Sequence, residues 1–286
     1  MNAILVGVDG SEAATRAVRW AAKAAAAENV DLKIVSAYDA STSDYAPGLI
    51  IPQEVIDAIR QDASDAVHAA ADVAKQAAPN VSVTTSIVDG DAARVLLELG
   101  KDAAMIAVGT RHLGSVKGLF LGSVSINVAA HAHGRVAIVA GDGSDTGPII
   151  VGVDGSPISD AAVAEAFRQA SLRNAPLVAV HTWTPLDADA LHGYGISREE
   201  VERMTQESVE VLAERLAGYS QDYPDVRVER RVLPEEPAKA LLDAAKDAQL
   251  LVVGSRGRGG FRGLLLGSTS QKVIHQAECP VLVVRK

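Results

Sequence analysis

Two glycine-rich loops hold the residue types best suited to chemistry in this chain. The second runs Gly254, Ser255, Arg256, Gly257, Arg258, Gly259, Gly260 and closes on Gly267, Ser268 and Thr269. The first runs Gly109, Thr110, Arg111, His112, Leu113, Gly114, Ser115 and closes on Gly122, Ser123 and Val124. Each leaves an apolar run and enters a helical pattern. Glycines let backbone N–H groups reach an anion with no Cβ in the way. A helix N-terminus adds unbonded N–H groups and a partial positive charge. Ser268 and Ser270 offer hydroxyls to cap that helix or to meet a phosphate. The chemistry this spells is binding of a phosphorylated ligand. It is not a Walker A loop, because no Gly-Lys-Ser/Thr follows, and it is not a Gly-x-Gly-x-x-Gly dinucleotide loop.

Charge around the loops points the same way. Residues 248–277 contain no Asp or Glu, yet carry Arg256, Arg258, Arg262 and Lys272. Residues 103–141 are also free of acids and carry Arg111, Lys117 and Arg135. The whole chain has net charge −9, so these windows run against its average. Acids return at Asp9 and Asp154, each in a Gly-Val-Asp-Gly-Ser turn (Gly7 and Gly152 lead the two turns) after an apolar run. In open α/β sheets that strand end borders the ligand crevice. A carboxylate there can accept hydrogen bonds from ribose hydroxyls or base N–H groups; it can equally form the turn or cap the helix that follows.

The elements that must position these residues occur twice. Ile4 to Ser11 returns as Ile149 to Ser156, and the loop from Ala107 to Ser123 returns as Val252 to Ser268 with nine of seventeen residues identical. Both copies are offset by 145 residues, a domain length and far beyond the 20–50 of a solenoid repeat. The 286 residues therefore read as two domains, 1–143 and 147–286, joined by a turn-rich segment. The first is expected as strand 3–8, helix 13–28, strand 31–37, helix 52–78, strand 81–88, helix 92–100, strand 103–108, the loop, helix 123–132 and strand 136–140. The second repeats the order with strand 149–153, a helix from residue 159, strand 177–182, a loop over 183–197, helix 198–219, strand 226–232, helix 237–246, strand 250–253, the loop, helix 268–276 and strand 281–284. Alternating strand and helix of crossover length predicts α/β units with mostly parallel sheets.

On these residues both halves resemble universal stress protein domains, and the whole chain resembles a tandem universal stress protein of bacterial type. The resemblance rests on the strand ends Gly7-Val-Asp9 and Gly152-Val-Asp154, and on the loop pattern Gly-x2-Gly-x9-Gly-Ser/Thr. Gly254, Gly257, Gly267 and Ser268 fit that pattern fully; in the first half His112 stands where the second glycine belongs. The resemblance implies two doubly wound domains, each a five-stranded parallel sheet of order 3-2-1-4-5 with helices on both faces. It implies ATP held between strands 1 and 4, one per domain, with little or no hydrolysis. It also implies an adenine pocket near the end of strand 2, at Ala37 and Thr182, and a role in stress response or growth control. Mg beside the ATP and a homodimer are allowed. If the second loop glycine needs positive φ, His112 costs roughly 1–2 kcal/mol and weakens the first site; the alternative is that His tolerates positive φ and its ring N–H donates to a phosphate oxygen, which makes the first site a variant one.

Other constellations carry less. The acidic balance and the absence of aromatics among the basic residues argue against nucleic acid. No apolar run approaches membrane length, and the start of the chain lacks a basic leader. A single cysteine, Cys279, forbids an internal disulfide, fits a cytoplasmic setting and reads as a packing thiol. His131 and His133 point to different faces of a helix end, His181 reads as a core histidine, and no metal site or catalytic triad is expected. No positioned base or acid cluster flanks the loops, so the chain is not expected to be an enzyme. A same-fold interaction protein with one or both pockets empty and a slow ATPase stay open as alternatives.

Overall fold

The computed structural model describes residues 3–39, 52–110, 122–141, 143–184, 188–257 and 265–285. The chain divides into two compact units, Met1–Ala140 and Gly141–Lys286. Unit 1 contains β1 Ala3–Gly7, α1 Glu12–Glu28, β2 Asp31–Tyr38, α2 Gln53–Ala77, β3 Val83–Asp89, α3 Ala92–Leu99, β4 Met105–Gly109, α4 Ser123–His131 and β5 Arg135–Val139. Its strands are parallel and lie in the order β3-β2-β1-β4-β5. Unit 2 contains β6 Ile149–Gly152, α5 Pro157–Leu172, β7 Leu177–Thr184, α6 Ala188–Gly193, α7 Arg198–Ala217, α8 Tyr219–Asp222, β8 Val228–Pro234, α9 Pro237–Ala244, β9 Leu250–Gly254, α10 Ser268–Gln276 and β10 Val281–Val284. Its parallel order is β8-β7-β6-β9-β10, which is again 3-2-1-4-5.

The sequence explains why these runs become central strands. β1, β4, β5, β9 and β10 are nearly unbroken Val, Ile, Leu and Ala and are buried along their length, as strands covered on both faces must be. β3 and β8, the outer strands beside β2 and β7, alternate with Thr, Glu and Arg and stay half-exposed. α1 begins at Ser11, whose hydroxyl accepts from Ala14 N at 3.2 Å, and ends at Asn29 in the left-handed region. α5 repeats both devices with Ser156, accepting from Ser159 N, and Asn174 at φ 47°. Asn tolerates that conformation better than most residues, so the duplication keeps it at both helix ends.

Small residues set how closely helix and sheet approach. α1 turns an alanine-rich face, Ala14, Ala17, Ala21, Ala24 and Ala25, into the core. A Cβ on Gly109 would overlap the backbone carbonyl of Ala13. Gly254 packs closely too, though against a side chain, with a Cβ reaching 2.8 Å from Ile158 Cγ2. These loop-leading glycines are thus required by the fold itself. α1 packs on α2, α3 on α4 and α9 on α10, completing the doubly wound layers.

Three local expectations are corrected. α5 starts at Pro157 behind Ser156, not at residue 159, because Pro is favourable in the first turn and the serine caps it. The stretch 183–197 is not all loop: β7 runs to Thr184, and α6 buries Leu191. The helix expected to reach residue 219 ends at Ala217, and Tyr219 in the separate α8 stacks on Phe167 at a centroid distance of 5.0 Å. The segment before β6 lies along unit 2, where Ser144 N donates to Ala248 O at 3.1 Å and Gln249 Nε2 to Gly147 O at 2.8 Å.

Candidate nucleotide site

Each unit has a cavity where strands 1 and 4 end and the connections leave to opposite sides, the position where doubly wound sheets bind ligands. In unit 2 the cavity measures about 400 Å³ and opens between β6 and β9. Gly152, Asp154, Thr182, Gly254, Arg256, Gly257, Gly267, Ser268 and Thr269 all line it, as the sequence predicts. In unit 1 a cavity of about 180 Å³ lies between β1 and β4, lined by Gly7, Asp9, Ala37, Gly109, Gly122, Ser123 and Val124. Two predicted site residues are not in these walls. Thr110 and Ser255 are buried at the strand ends, and Ser255 acts through its backbone, its carbonyl accepting from Gly267 N at 2.8 Å to close the loop. Arg111, His112, Leu113, Gly114, Ser115, Arg258, Gly259 and Gly260 lie outside the described residues.

The helix N-termini facing the cavities are left open. Gly267 precedes α10 with no side-chain cap, and the first intrahelical bond is Gln271 N to Gly267 O at 2.9 Å. The N–H groups of Ser268, Thr269 and Ser270 precede that bond and lie at the cavity. Gly122 does the same for α4, where Ile126 N to Gly122 O is the first bond. By contrast α1, α3, α5, α7 and α9 each carry a side-chain cap from Ser, Asp or Glu. An open helix N-terminus beside Arg256 suits an anion.

Ser270 plays a different part from the one expected, and Ser125 repeats it in unit 1. Ser270 Oγ donates to Gly254 O at 2.6 Å, and Ser125 Oγ to Gly109 O at 2.8 Å. Both are buried and tie the first turn of a helix to the end of its strand, so neither hydroxyl caps the helix.

Asp154 forms the turn and also stands in the cavity wall. Its Oδ1 accepts from Ser156 N at 2.9 Å, forming the turn, while its carboxylate also borders the cavity. Asp9 makes the same bond to Ser11 N at 3.0 Å. Gly257 explains itself here. Its φ is not left-handed, so backbone freedom is not the reason for glycine. A Cβ would overlap Asp154 Oδ2. The expected positive-φ penalty does not apply at Gly257; a side chain there would instead displace the Asp154 carboxylate.

The cations sort less uniformly than their sequence windows suggest. Arg135 lies at the start of β5, away from the cavity, and holds Glu28 in a two-pronged pair at 2.9 Å. Lys272 pairs with Glu236 at 3.2 Å. Arg256 lines the cavity, and Arg285, past the end of β10, donates to Leu265 O at 3.1 Å. Burial and the neighbouring Arg256 guanidinium hold Arg285 below the ordinary arginine range. Sequence reasoning missed the apolar wall of Val180, Leu241, Val253 and Leu266, and Ser159. The wall comes from β7, α9, β9 and the residue before Gly267, and the signal for it is weak, since aliphatic residues there look like core. His181 is satisfied as expected: Nδ1 donates to Val153 O at 2.7 Å. Among the described residues no three His, Cys, Asp or Glu gather to hold a metal ion, and no helix is long and apolar enough to cross a membrane.

The universal stress protein family profile matches residues 1–140 and again 146–285. A universal stress protein of Mycolicibacterium smegmatis is 39% identical over 99% of this chain and 96% of its own. One of Mycobacterium tuberculosis is also 39% identical, with the same coverage. A crystal structure of a universal stress protein from Archaeoglobus fulgidus aligns over 99% of this chain and 98% of that one, with a TM-score of 0.73 at 20% identity, a likeness of fold. With two full-length matches to the family and two copies of its fold, this chain belongs to the universal stress protein family.

Proposed function

We propose that the chain binds ATP at the strand 1/strand 4 cavities, holds it with little or no hydrolysis, and serves stress response or growth control in the cytoplasm. The observation that carries this is the open N-terminus of α10, whose first-turn N–H groups and Arg256 face a cavity of about 400 Å³. That volume is in the range of small-molecule sites. The residues fit the ligand. The phosphates meet the α10 N-terminus, Ser268, Thr269 and Arg256. The base lies against the aliphatic wall near Thr182, where the β7–β8 register shifts between Thr182 and Thr184. Asp154 accepts from the ribose. Bound ATP would supply a polyanion and a ribose donor; Mg would be carried by its phosphates.

Native mass spectrometry of freshly purified protein, followed by calorimetry with ATP and GTP, tests the reading. Co-purifying adenine nucleotide and a preference for ATP are expected. Absence of binding to either nucleotide, or equal affinity for both, would overturn it.

A further inference from the structure

The two cavities share a backbone plan but not a chemistry. Superposing the repeat by its 145-residue offset pairs Ser159 with Ala14, Thr182 with Ala37 and Thr269 with Val124. All six line their cavities. At each pair the hydroxyl belongs to unit 2 and the apolar side chain to unit 1; the serine of the turn, Ser11 or Ser156, is common to both units. We propose that the two sites are inequivalent by construction: unit 2 is the tight nucleotide site, and the hydroxyls of Ser159, Thr182 and Thr269 set its affinity, while unit 1 binds the same ligand weakly. This rests on the ATP reading above and adds which unit binds tightly and which side chains decide it.

The three hydroxyls do different work. Thr269 sits in the open first turn of α10, so its hydroxyl adds a donor beside the N–H groups that meet an anion; Val124 puts methyl groups at that place in α4. Thr182 adds a donor and acceptor at the base end, where Ala37 has neither. Ser159 is a positioning residue. Its Oγ accepts from Asp154 N at 3.1 Å while its own N donates to Ser156 Oγ at 3.2 Å, locking the turn that aims the Asp154 carboxylate. Ala14 has no acceptor to offer Asp9. The cavity volumes, about 400 Å³ against about 180 Å³, run the same way.

The test is ATP titration by calorimetry and native mass spectrometry on the full chain. Wild type is expected to fill one site first and a second only at concentrations at least about tenfold higher. Thr182→Ala with Thr269→Val should weaken the tight phase, on the order of tenfold or more for the lost hydrogen bonds, and leave the weak phase alone. Ala37→Thr with Val124→Thr should strengthen the weak phase. These four positions are half-buried, so the swaps spare the core. Ser159→Ala should weaken the tight phase as well, and Ser159→Thr, which keeps the acceptor, should restore part of it. Two equal sites in wild type, or swaps that move neither phase, overturn the inference and leave the ATP reading standing. No binding at either site overturns both.

Discussion

At the residue scale, Asp154 is the test of whether a side chain can shape a turn and hold a ligand together. Its bond to Ser156 N belongs to the turn; its place in the cavity wall is what the proposed ligand would meet. Asn keeps an oxygen for the turn and loses the charge, whereas Ala loses both. Asp154→Asn is therefore expected to leave the melting temperature nearly unchanged and to weaken ATP by roughly 1.5–3 kcal/mol, the worth of hydrogen bonds to a charged acceptor. Asp154→Ala should lose similar affinity and some stability. Calorimetry beside thermal melting separates them, and a variant that melts early yet binds normally would make Asp154 a turn former alone. Gly257 belongs to the same argument, since the room its missing Cβ leaves is occupied by that carboxylate.

At the element scale, the link that matters is between the end of β9 and the start of α10. Ser270 Oγ to Gly254 O crosses it, and Ser255 O to Gly267 N closes the loop between. Removing the hydroxyl leaves a buried carbonyl short of a donor, so Ser270→Ala should destabilise the protein by roughly 1–3 kcal/mol. Urea denaturation at saturating and at zero ATP measures this. The loss is expected in both conditions, because the serine serves the fold. A variant as stable as wild type but impaired in binding would return Ser270 to the ligand. The same bond from Ser125 to Gly109 O, preserved across the repeat, marks the strand–helix link as part of the architecture.

At the scale of the whole molecule, stability against pH carries a readable signature. Cys279 is buried, and burial pushes its thiol up from 9.0 to about 11. An acid whose folded pKa is raised stabilises fully below its unfolded value and loses that contribution as pH climbs through the folded one. The window is therefore about pH 9 to 11. Cys279→Ala lacks the group, so the stability difference between wild type and variant should shrink by roughly 2–3 kcal/mol across it. Chemical denaturation of both proteins at pH 8 and pH 11 checks the sign; a difference that stays constant would mean the thiol ionises alike folded and unfolded. The same burial predicts no reaction with thiol reagents under native conditions.

Much of this protein was decided by its sequence. The 145-residue repeat determined two units of one fold. The aliphatic runs determined central strands buried on both sides, and the recurring Gly-Val-Asp and glycine-loop motifs marked the strand ends where a ligand fits. Those features are local, so neighbouring residues specify them. What the tertiary structure decided depends on partners distant in the chain. Arg135 looked like part of a basic window until Glu28, 107 residues away, claimed it. Gly109 looked like a phosphate glycine until the Ala13 carbonyl took up the space for its Cβ. The wall of Val180, Leu241 and Leu266 was invisible because aliphatic residues of strand, helix and loop are written the same way whether they face a core or a ligand. The asymmetry between the cavities lay in the sequence as three ordinary substitutions, and only the fold brought Ser159, Thr182 and Thr269 into one wall, because residues so far apart in the chain meet only when the sheet is assembled.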